Sequence, residues 1–470
     1  MYRDSQSRNN MNNTPESFSI HPALLAAVCM LIGIAYLVIT PPMQVPDEQY
    51  HFYRAYQVSE GVLFSEKRGG VAGGELPASL SELHRLYSFL VFNPEEKTNP
   101  EITEKAVSMA LDPQNRVFTK FESTAIFPFP AYTVPAIAIA VTRLVDSRPI
   151  VLMYAARLAN LLFGVFILFL VFRLFRQGVP LFLLLALLPM YMFEMASVSS
   201  DSFSNSIAFL FIALLARSTQ DDEFFQRAWP AIVLTGMLVV SSKQTYSVIL
   251  LLLLLVPPAH AGSGQRYLVK TSFFYALAGT AFIAWAMYAR SVYVPLSWHP
   301  GANAEKQIAH MIEYPYDHFM VFVNDIYYRW DRYLRMWVGE LLGWVDTRLP
   351  GWLVIYYLLL FPFALLVKTS FSLNLLQRTA LIILAIIGLF VVEAAIYIHT
   401  AYIASTLNDH VHGRYLIPFV PLLGLALLGL AILRPLQLRE QLITPLILLL
   451  GTLGSAISLW TVYSRYYVVS

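Results

Sequence analysis

The sequence predicts an all-α, polytopic membrane protein, and three observations carry that expectation. Hydrophobic residues make up 57% of the chain and charged residues 13%, with a mean hydropathy of +0.57, far from the balance of a soluble domain. Apolar runs of membrane-crossing length recur along the whole sequence. Arg and Lys mostly bound those runs instead of interrupting them. A formal net charge of +2 discriminates nothing, and no patch resembles a nucleic-acid surface. Cys29 is the single cysteine, which excludes an intrachain disulfide and a thiolate metal site.

Met1–Ser19 is polar, rich in Asn and Ser, and carries Arg3 and Arg8. No small-residue cleavage site follows, so residues 1–21 read as the cytoplasmic tail of a retained signal anchor. The first span is Ala23–Thr40, which Pro41 and Pro42 stop because neither can extend the helical hydrogen-bond ladder. Later spans are expected near Pro149–Phe172, Pro180–Val198, Phe203–Ala216, Trp229–Val240 and Tyr246–Pro257. Beyond these come Thr271–Ser291, Gly351–Val367, Thr379–His399, Tyr415–Leu433 and Leu442–Tyr463. The expected total is about eleven.

Thr124–Val145 is apolar too, but Pro128, Pro130 and Pro135 break its first half. The positive-inside rule decides its status. If it does not cross, Arg173/Arg176, Arg217/Arg227, Arg266/Lys270, Lys368/Arg378 and Arg434/Arg439 all fall on the side of the N-terminal tail. If it crosses, every later pair flips outward. The run therefore reads as re-entrant or interfacial. Residues 22–470 form one transmembrane domain, with outer loops at 41–148, built with interfacial helices, and at 293–350. Ser199–Ser202, Ser241–Thr245 and Thr400–Arg414 are outer as well. Most polar motifs lie in these outer segments, so any donor there must be lipid-borne or already exported.

Asp47 and Glu48 stand at the mouth of the first span, ahead of His51, Tyr53, Arg54 and Tyr56. Positions 47, 51 and 54 share one helical face, which brings together a carboxylate, an imidazole and a guanidinium. Such a group suits binding a charged head group and moving a proton. The plain alternative is a solvated acidic loop. Asp201, in an expected tight outer turn, is either a functional carboxylate at membrane depth or the N-cap of the next helix. Glu194 lies deeper and faces the bundle interior. Lys243 breaks the positive-inside pattern, so it either snorkels to head groups or binds a phosphate. Asp346 and Arg348 sit in a Gly- and Trp-containing segment and can pair with each other. Arg414, before Tyr415, is again a positive charge on the outer side and suits an anion. His410 and His412 beside Asp409 have only weak metal-ligand spacing.

The stretch Pro41 to Glu48, read as Pro-Pro-x-Gln-x-Pro-Asp-Glu, with His51, Arg54 and Gly61, resembles the opening signature of a bacterial family of uncharacterised multi-pass membrane proteins often found with surface-polysaccharide genes. Ala155-Ala156-Arg157-Leu158-Ala159-Asn160, Pro189, Ser197-Val198-Ser199-Ser200-Asp201, and Lys243 with Tyr246 continue the resemblance. Gly343-Trp344-Val345-Asp346-Thr347, Leu349-Pro350, and Gly413-Arg414-Tyr415 with Pro418 complete it, in order, across nearly the whole chain. One departure is Lys243-Gln244, where the family leads us to expect Lys-Pro. The family looks similar to the GT-C glycosyltransferase superfamily, whose members use polyprenyl-phosphate sugars outside the membrane.

That resemblance implies a GT-C-like helical bundle. It places the superfamily's acidic residue after the first span, which serves as base or acceptor-positioning group, on Asp47, with Glu48 beside it. The second outer acidic residue falls on Asp201, which makes these three the implied catalytic carboxylates. The aromatic, proline-rich stretch before the second span falls on Phe127–Tyr132. His51, Arg54, Lys243, Asp346, Arg414 and Tyr415 become substrate-binding positions. The implied activity is transfer of a sugar from a polyprenyl-phosphate donor to a cell-surface glycan or lipid-linked acceptor, in a bacterial inner membrane with the N-terminus cytoplasmic. No cofactor is specified; a divalent metal is compatible and not required. A transporter or flippase of lipid-linked sugars, and a polysaccharide polymerase or ligase, stay open as alternatives.

Overall fold

Prolines and small polar caps decide where the helices begin and break. The computed structural model describes residues 20–296 and 301–469. The Met1–Ser19 tail, with Arg3 and Arg8, and Ser470 lie outside the described residues. Helix α1 (Pro22–Ile39) starts on a proline, whose missing N–H is no loss in a first turn, and stops at Thr40 before Pro41 and Pro42. Helix α2 (Glu48–Ser59) follows Asp47, which adopts a left-handed backbone at φ 63°.

The loop after α2 holds a sheet as well as the expected helices. Strands β1 (Glu66–Arg68), β2 (Val71–Pro77) and β3 (Arg116–Lys120) pair antiparallel in that order. Gly69 and Gly70 both take positive φ, which gives the two-residue turn that joins β1 to β2. Helices α3 (Ala78–Tyr87) and α4 (Pro100–Ser108) lie between β2 and β3. Next come the short α5 (Glu122–Ala125) and α6 (Thr133–Thr142), separated by a 3-10 turn at Phe129–Tyr132. At 1.5 Å per residue α6 is about 15 Å long, half the hydrocarbon thickness of roughly 30 Å. It is too short to cross as a straight helix.

The chain continues through α7 (Pro149–Leu174), α8 (Val179–Ala186), α9 (Pro189–Met195), α10 (Ser200–Ser218) and α11 (Asp222–Val240). A 3-10 stretch, Gln244–Leu255, leads to α12 (Gly264–Val292). Then follow α13 (Ala304–Glu313), α14 (Pro315–Val338), a hairpin of β4 (Leu341–Leu342) and β5 (Thr347–Arg348), α15 (Gly351–Ala364), α16 (Leu375–Thr400), α17 (Val420–Leu427) and α18 (Glu440–Tyr467). The architecture is helical, 71% of it, and the sheet and hairpin are minor.

Among the described residues five helices are long and apolar enough to cross a membrane: α1, α7, α12, α16 and α18. A sixth arises if Arg176–Ala186 and Pro189–Met195, bent 81° apart, count as one broken span. The expected single span Pro180–Val198 is therefore interrupted. Pro189 has no N–H to continue the ladder and holds Leu188 extended at ψ 134°. Tyr415–Leu433, also expected as one span, divides into Gly413–Leu416, α17 and Ala431–Leu436. Pro421 starts the second piece, Gly429 turns left-handed at φ 70°, and Pro435 lies in the third. Gln244–Leu255 and Gly351–Ala364 are apolar but short. Helices of crossing length thus number about half of the eleven expected: proline divides two of the runs, Gln244–Leu255 and Gly351–Ala364 are short, and α10 and α11 are long enough but not apolar enough.

The core is organised on α10, whose side chains from Ser200 to Ala216 are buried on every face. An all-round apolar helix belongs inside a bundle. It packs against α7 and α11, while α7 also carries α1 and α6. The N-terminal end of α10 is serine-rich instead of apolar, and the polar site forms there.

Candidate polar site at the α9–α10 turn

Five charged groups from four separate chain segments meet at this turn. Arg414, in the 3-10 turn Gly413–Leu416, reaches Glu194 at 3.2 Å and Asp47 at 3.4 Å, and its second amino group donates to the Tyr415 hydroxyl at 3.1 Å. Lys243, just before Gln244–Leu255, forms an ion pair with Asp201 in the first turn of α10. Its ammonium also lies 5.0 Å from the Tyr415 ring centre and 5.8 Å from those of Phe127 and Tyr246, geometry that suits cation–π attraction. Asp47, Glu194 and Asp201 against Lys243 and Arg414 give three carboxylates and two cations, a formal −1 when all are ionised.

The environments of the three carboxylates differ. The Glu194 side chain is 1% exposed and that of Asp201 4%, whereas Asp47 is 36% exposed. Asp47 alone of the three is open to an incoming group. A cleft of about 330 Å³, its open side included, lies beside Arg414. Pro46, Phe193, Val345, His412 and Arg414 are among its walls. Gly413 permits this arrangement: a Cβ there would lie 2.3 Å from the Trp337 backbone nitrogen, so only glycine lets the turn press against α14.

The expectation that Asp201 caps α10 is corrected. Ser199 is the N-cap, and its hydroxyl accepts from the Asp201 N–H at 3.1 Å. The Asp201 carboxylate is thereby left for Lys243, at the helix end that favours negative charge. Lys243 does not snorkel to the surface; its side chain is 10% exposed and paired.

Residues 47, 51 and 54 do not act as one face. Asp47 precedes α2 with its own left-handed geometry and turns to Arg414. His51 Nδ1 lies 2.9 Å from the Tyr132 hydroxyl, and burial pushes the imidazole down to about 3, so it is neutral at ordinary pH. Arg54 points elsewhere, donating to Gln57 at 2.6 Å and to the Leu63 carbonyl at 2.7 Å.

Glu48 is placed apart from this group. Both its oxygens are taken by Arg157 of α7, at 2.8 and 2.6 Å, and Oε1 also accepts the Val198 N–H at 3.1 Å. Arg157 in turn donates to the carbonyls of Leu37, Thr40 and Pro41 at the end of α1. Neither side chain of this pair is exposed. It clamps α1, α7 and the α9–α10 turn together. Asp346 is likewise engaged outside the group: Arg465 of α18 donates to it at 3.0 Å. Arg348 pairs with Glu340 at 3.0 Å, so the expected Asp346–Arg348 pair does not form.

Arg157 was recognisable in sequence only as a member of a motif, although a lone Arg within an apolar run is itself a signal of a buried partner. Tyr132 and Tyr246 likewise entered the sequence reading only through the resemblance, with no partner named for either. Among the described residues no group of three or more His, Cys, Asp or Glu is arranged to hold a metal ion. Asp409 instead accepts from Arg329 at 2.5 Å.

The chain matches the model of a family described as "Predicted membrane protein (DUF2142)" over residues 30–423, a stretch that contains every residue of the polar site. No curated protein and no solved structure matches the chain. With the family model covering most of the sequence and several helices long enough to cross a bilayer, the chain belongs to this family of predicted membrane proteins.

Proposed function

We propose that this is an integral membrane glycosyltransferase of GT-C architecture. It moves a sugar from a polyprenyl-phosphate donor to a cell-surface glycan or lipid-linked acceptor on the extracytoplasmic face of a bacterial inner membrane. The observation that carries the reading is the state of Asp47. It is the exposed carboxylate of a buried charge cluster, and it faces a guanidinium able to exchange one anion for another.

The chemistry is a single displacement. The acceptor hydroxyl gives its proton to Asp47 as its oxygen attacks the anomeric carbon. The bond from that carbon to the phosphate oxygen breaks, and its electron pair leaves with the lipid phosphate. Arg414 and Lys243 stabilise the charge that develops on the leaving oxygen. Both cations are held by carboxylates, so a donor phosphate must compete for them. When Arg414 turns to phosphate, Asp47 is released to take the proton, which links donor binding to activation of the base. Asp201 orients the acceptor and keeps Lys243 in place. The role of Glu48 moves from catalysis to support, through Arg157. The finer topology, about eleven crossings with the N-terminus inside, belongs to the same proposal.

The rival reading, a flippase for lipid-linked sugars, gains from one observation. The 81° break between α8 and α9 lies just before Glu194, and broken helices beside buried charge are common at transport sites. Purified protein incubated with radiolabelled polyprenyl-phosphate sugars and candidate acceptors separates the two. Labelled product together with free polyprenyl phosphate supports transfer. Movement of intact donor between leaflets, with no bond broken, supports the flippase.

A further inference from the structure

A second polar cluster lies between α14 and α16. The Tyr333 hydroxyl is hydrogen-bonded to Asp325 and lies 2.5 Å from Glu393 Oε1. Glu393 Oε2 accepts from the Asn408 amide at 2.6 Å, and that amide also donates to the Glu393 carbonyl at 3.0 Å. Arg329 is 3.0 Å from Asp325 Oδ1 and 2.5 Å from Asp409 Oδ1. Glu393 is fully buried, Asp325 is 6% exposed, and Glu393 belongs to a helix of membrane-crossing length.

A phenol has one proton, so it donates to one carboxylate only. The second short contact then needs a proton on the other acid. The charges identify which acid holds it. Asp325 has Arg329 against it, whereas Glu393 meets only the neutral phenol and amide. From α14 the groups facing this point are Asp325, Arg329 and Tyr333, with Arg332 acting on Asp325 from further off. From the loop after α16 they are Asn408 and Asp409. Of the other elements packed on α16, α17 and Gln244–Leu255 contain no charged residue. On α13, Glu305 turns to Arg290 and His310 to His318, while Lys306 and Glu313 are exposed at the surface. Arg414 is engaged by Glu194 and Asp47. Three carboxylates around Arg329 would leave two buried acids in repulsion unless one is neutral.

We infer that Glu393, Tyr333 and Asp325 form a proton-binding site in which Glu393 Oε1–H donates to the Tyr333 oxygen and the Tyr333 hydroxyl donates to Asp325 Oδ2. The bound proton latches α14 to α16 and to the segment that runs into Gly413 and Arg414. Losing it puts two carboxylates on one phenol, and α14 is pushed away from α16. This proton site does not depend on the transfer reading.

The test is infrared spectroscopy of the whole protein in nanodiscs, titrated with pH. At neutral pH the wild type shows the carbonyl stretch of a protonated carboxyl, and Glu393→Gln lacks it. In Asp325→Asn the band disappears at lower pH than in the wild type, because the neighbouring negative charge that holds the proton is gone. If Glu393→Gln does not fold, Tyr333→Phe serves instead, and removal of the accepting oxygen must shift the band. Amide exchange along Pro315–Val338 rises in the wild type as the band is titrated away. Absence of a protonated-carboxyl band at neutral pH, or a band untouched by Glu393→Gln and Tyr333→Phe, overturns the proton site. Exchange along α14 that is indifferent to the titration overturns the latch.

Discussion

Asp47 and Glu48 are neighbours in sequence with opposite fates. Glu48 is drawn inward to Arg157, and the left-handed turn at residue 47 sends the Asp47 carboxylate the other way, toward Arg414 and solvent. Sequence showed the pair but could not divide the roles, because the partner of Glu48 lies 109 positions away. Removing one member of a buried ion pair strands the other charge, at a cost of about 3–5 kcal/mol. Arg157→Met should therefore lower the thermal stability of the detergent-solubilised protein markedly. Glu48→Gln should cost less, since its amide oxygen can still accept from Arg157. Equal stability of wild type and Arg157→Met would remove the clamp. His51 makes a pH prediction. Burial lowers its protonation to about 3, while the unfolded chain takes up that proton near pH 6.5. The unfolded state thus binds more protons between those values, so the stability from neutral His51 is complete above 6.5 and declines as pH falls toward 3. A His51→Gln variant should show a shallower loss of melting temperature on acidification; an unchanged slope would mean that the imidazole is charged in the folded protein.

The helices were legible where apolar runs end in prolines or polar caps, as at α1, α7 and α16. Where a proline falls inside a run, hydropathy alone shows one continuous segment and the backbone breaks it. Pro189 is the clearest case: the break it causes precedes Glu194, which reaches Arg414, so the interruption of the expected span and the Glu194 contact have one cause. The β1–β2 hairpin had its turn signal in Gly69-Gly70, but strands of three and seven residues lack the length for a clear alternation. At this scale the pairing of α10 with the segment before Gln244–Leu255 is testable. Lys243→Ala should weaken donor binding by roughly 1.5–3 kcal/mol, the value of a charge-assisted contact, and should also destabilise by leaving Asp201 buried without its partner. Lys243→Met combined with Asp201→Asn should recover stability but not donor affinity. If the double variant recovers both, Lys243 is a structural ion-pair member and does not bind phosphate.

Over the whole molecule, residues separated by up to 367 positions close one polar site at the end of a buried helix. The outer loops named from sequence supply Asp47, Asp201, Lys243 and Arg414, and the structure brings these together. It leaves Arg54 and Asp346 engaged elsewhere. Topology is the matching prediction. Cysteine probes at Val62 and Gln114 should react with impermeant reagent from outside in Cys29→Ser protein, and probes at Arg176 and Arg266 should react only after the membrane is opened. Reaction of all four from one side would contradict the arrangement. The central claim is that Asp47 takes the acceptor's proton, and Asp47→Asn measures it most directly. The change preserves shape and leaves Glu194 on Arg414. Transfer by purified protein should fall by roughly 10²–10⁴-fold, the usual contribution of a positioned general base, with donor binding retained. Transfer at the wild-type rate in Asp47→Asn would contradict the account.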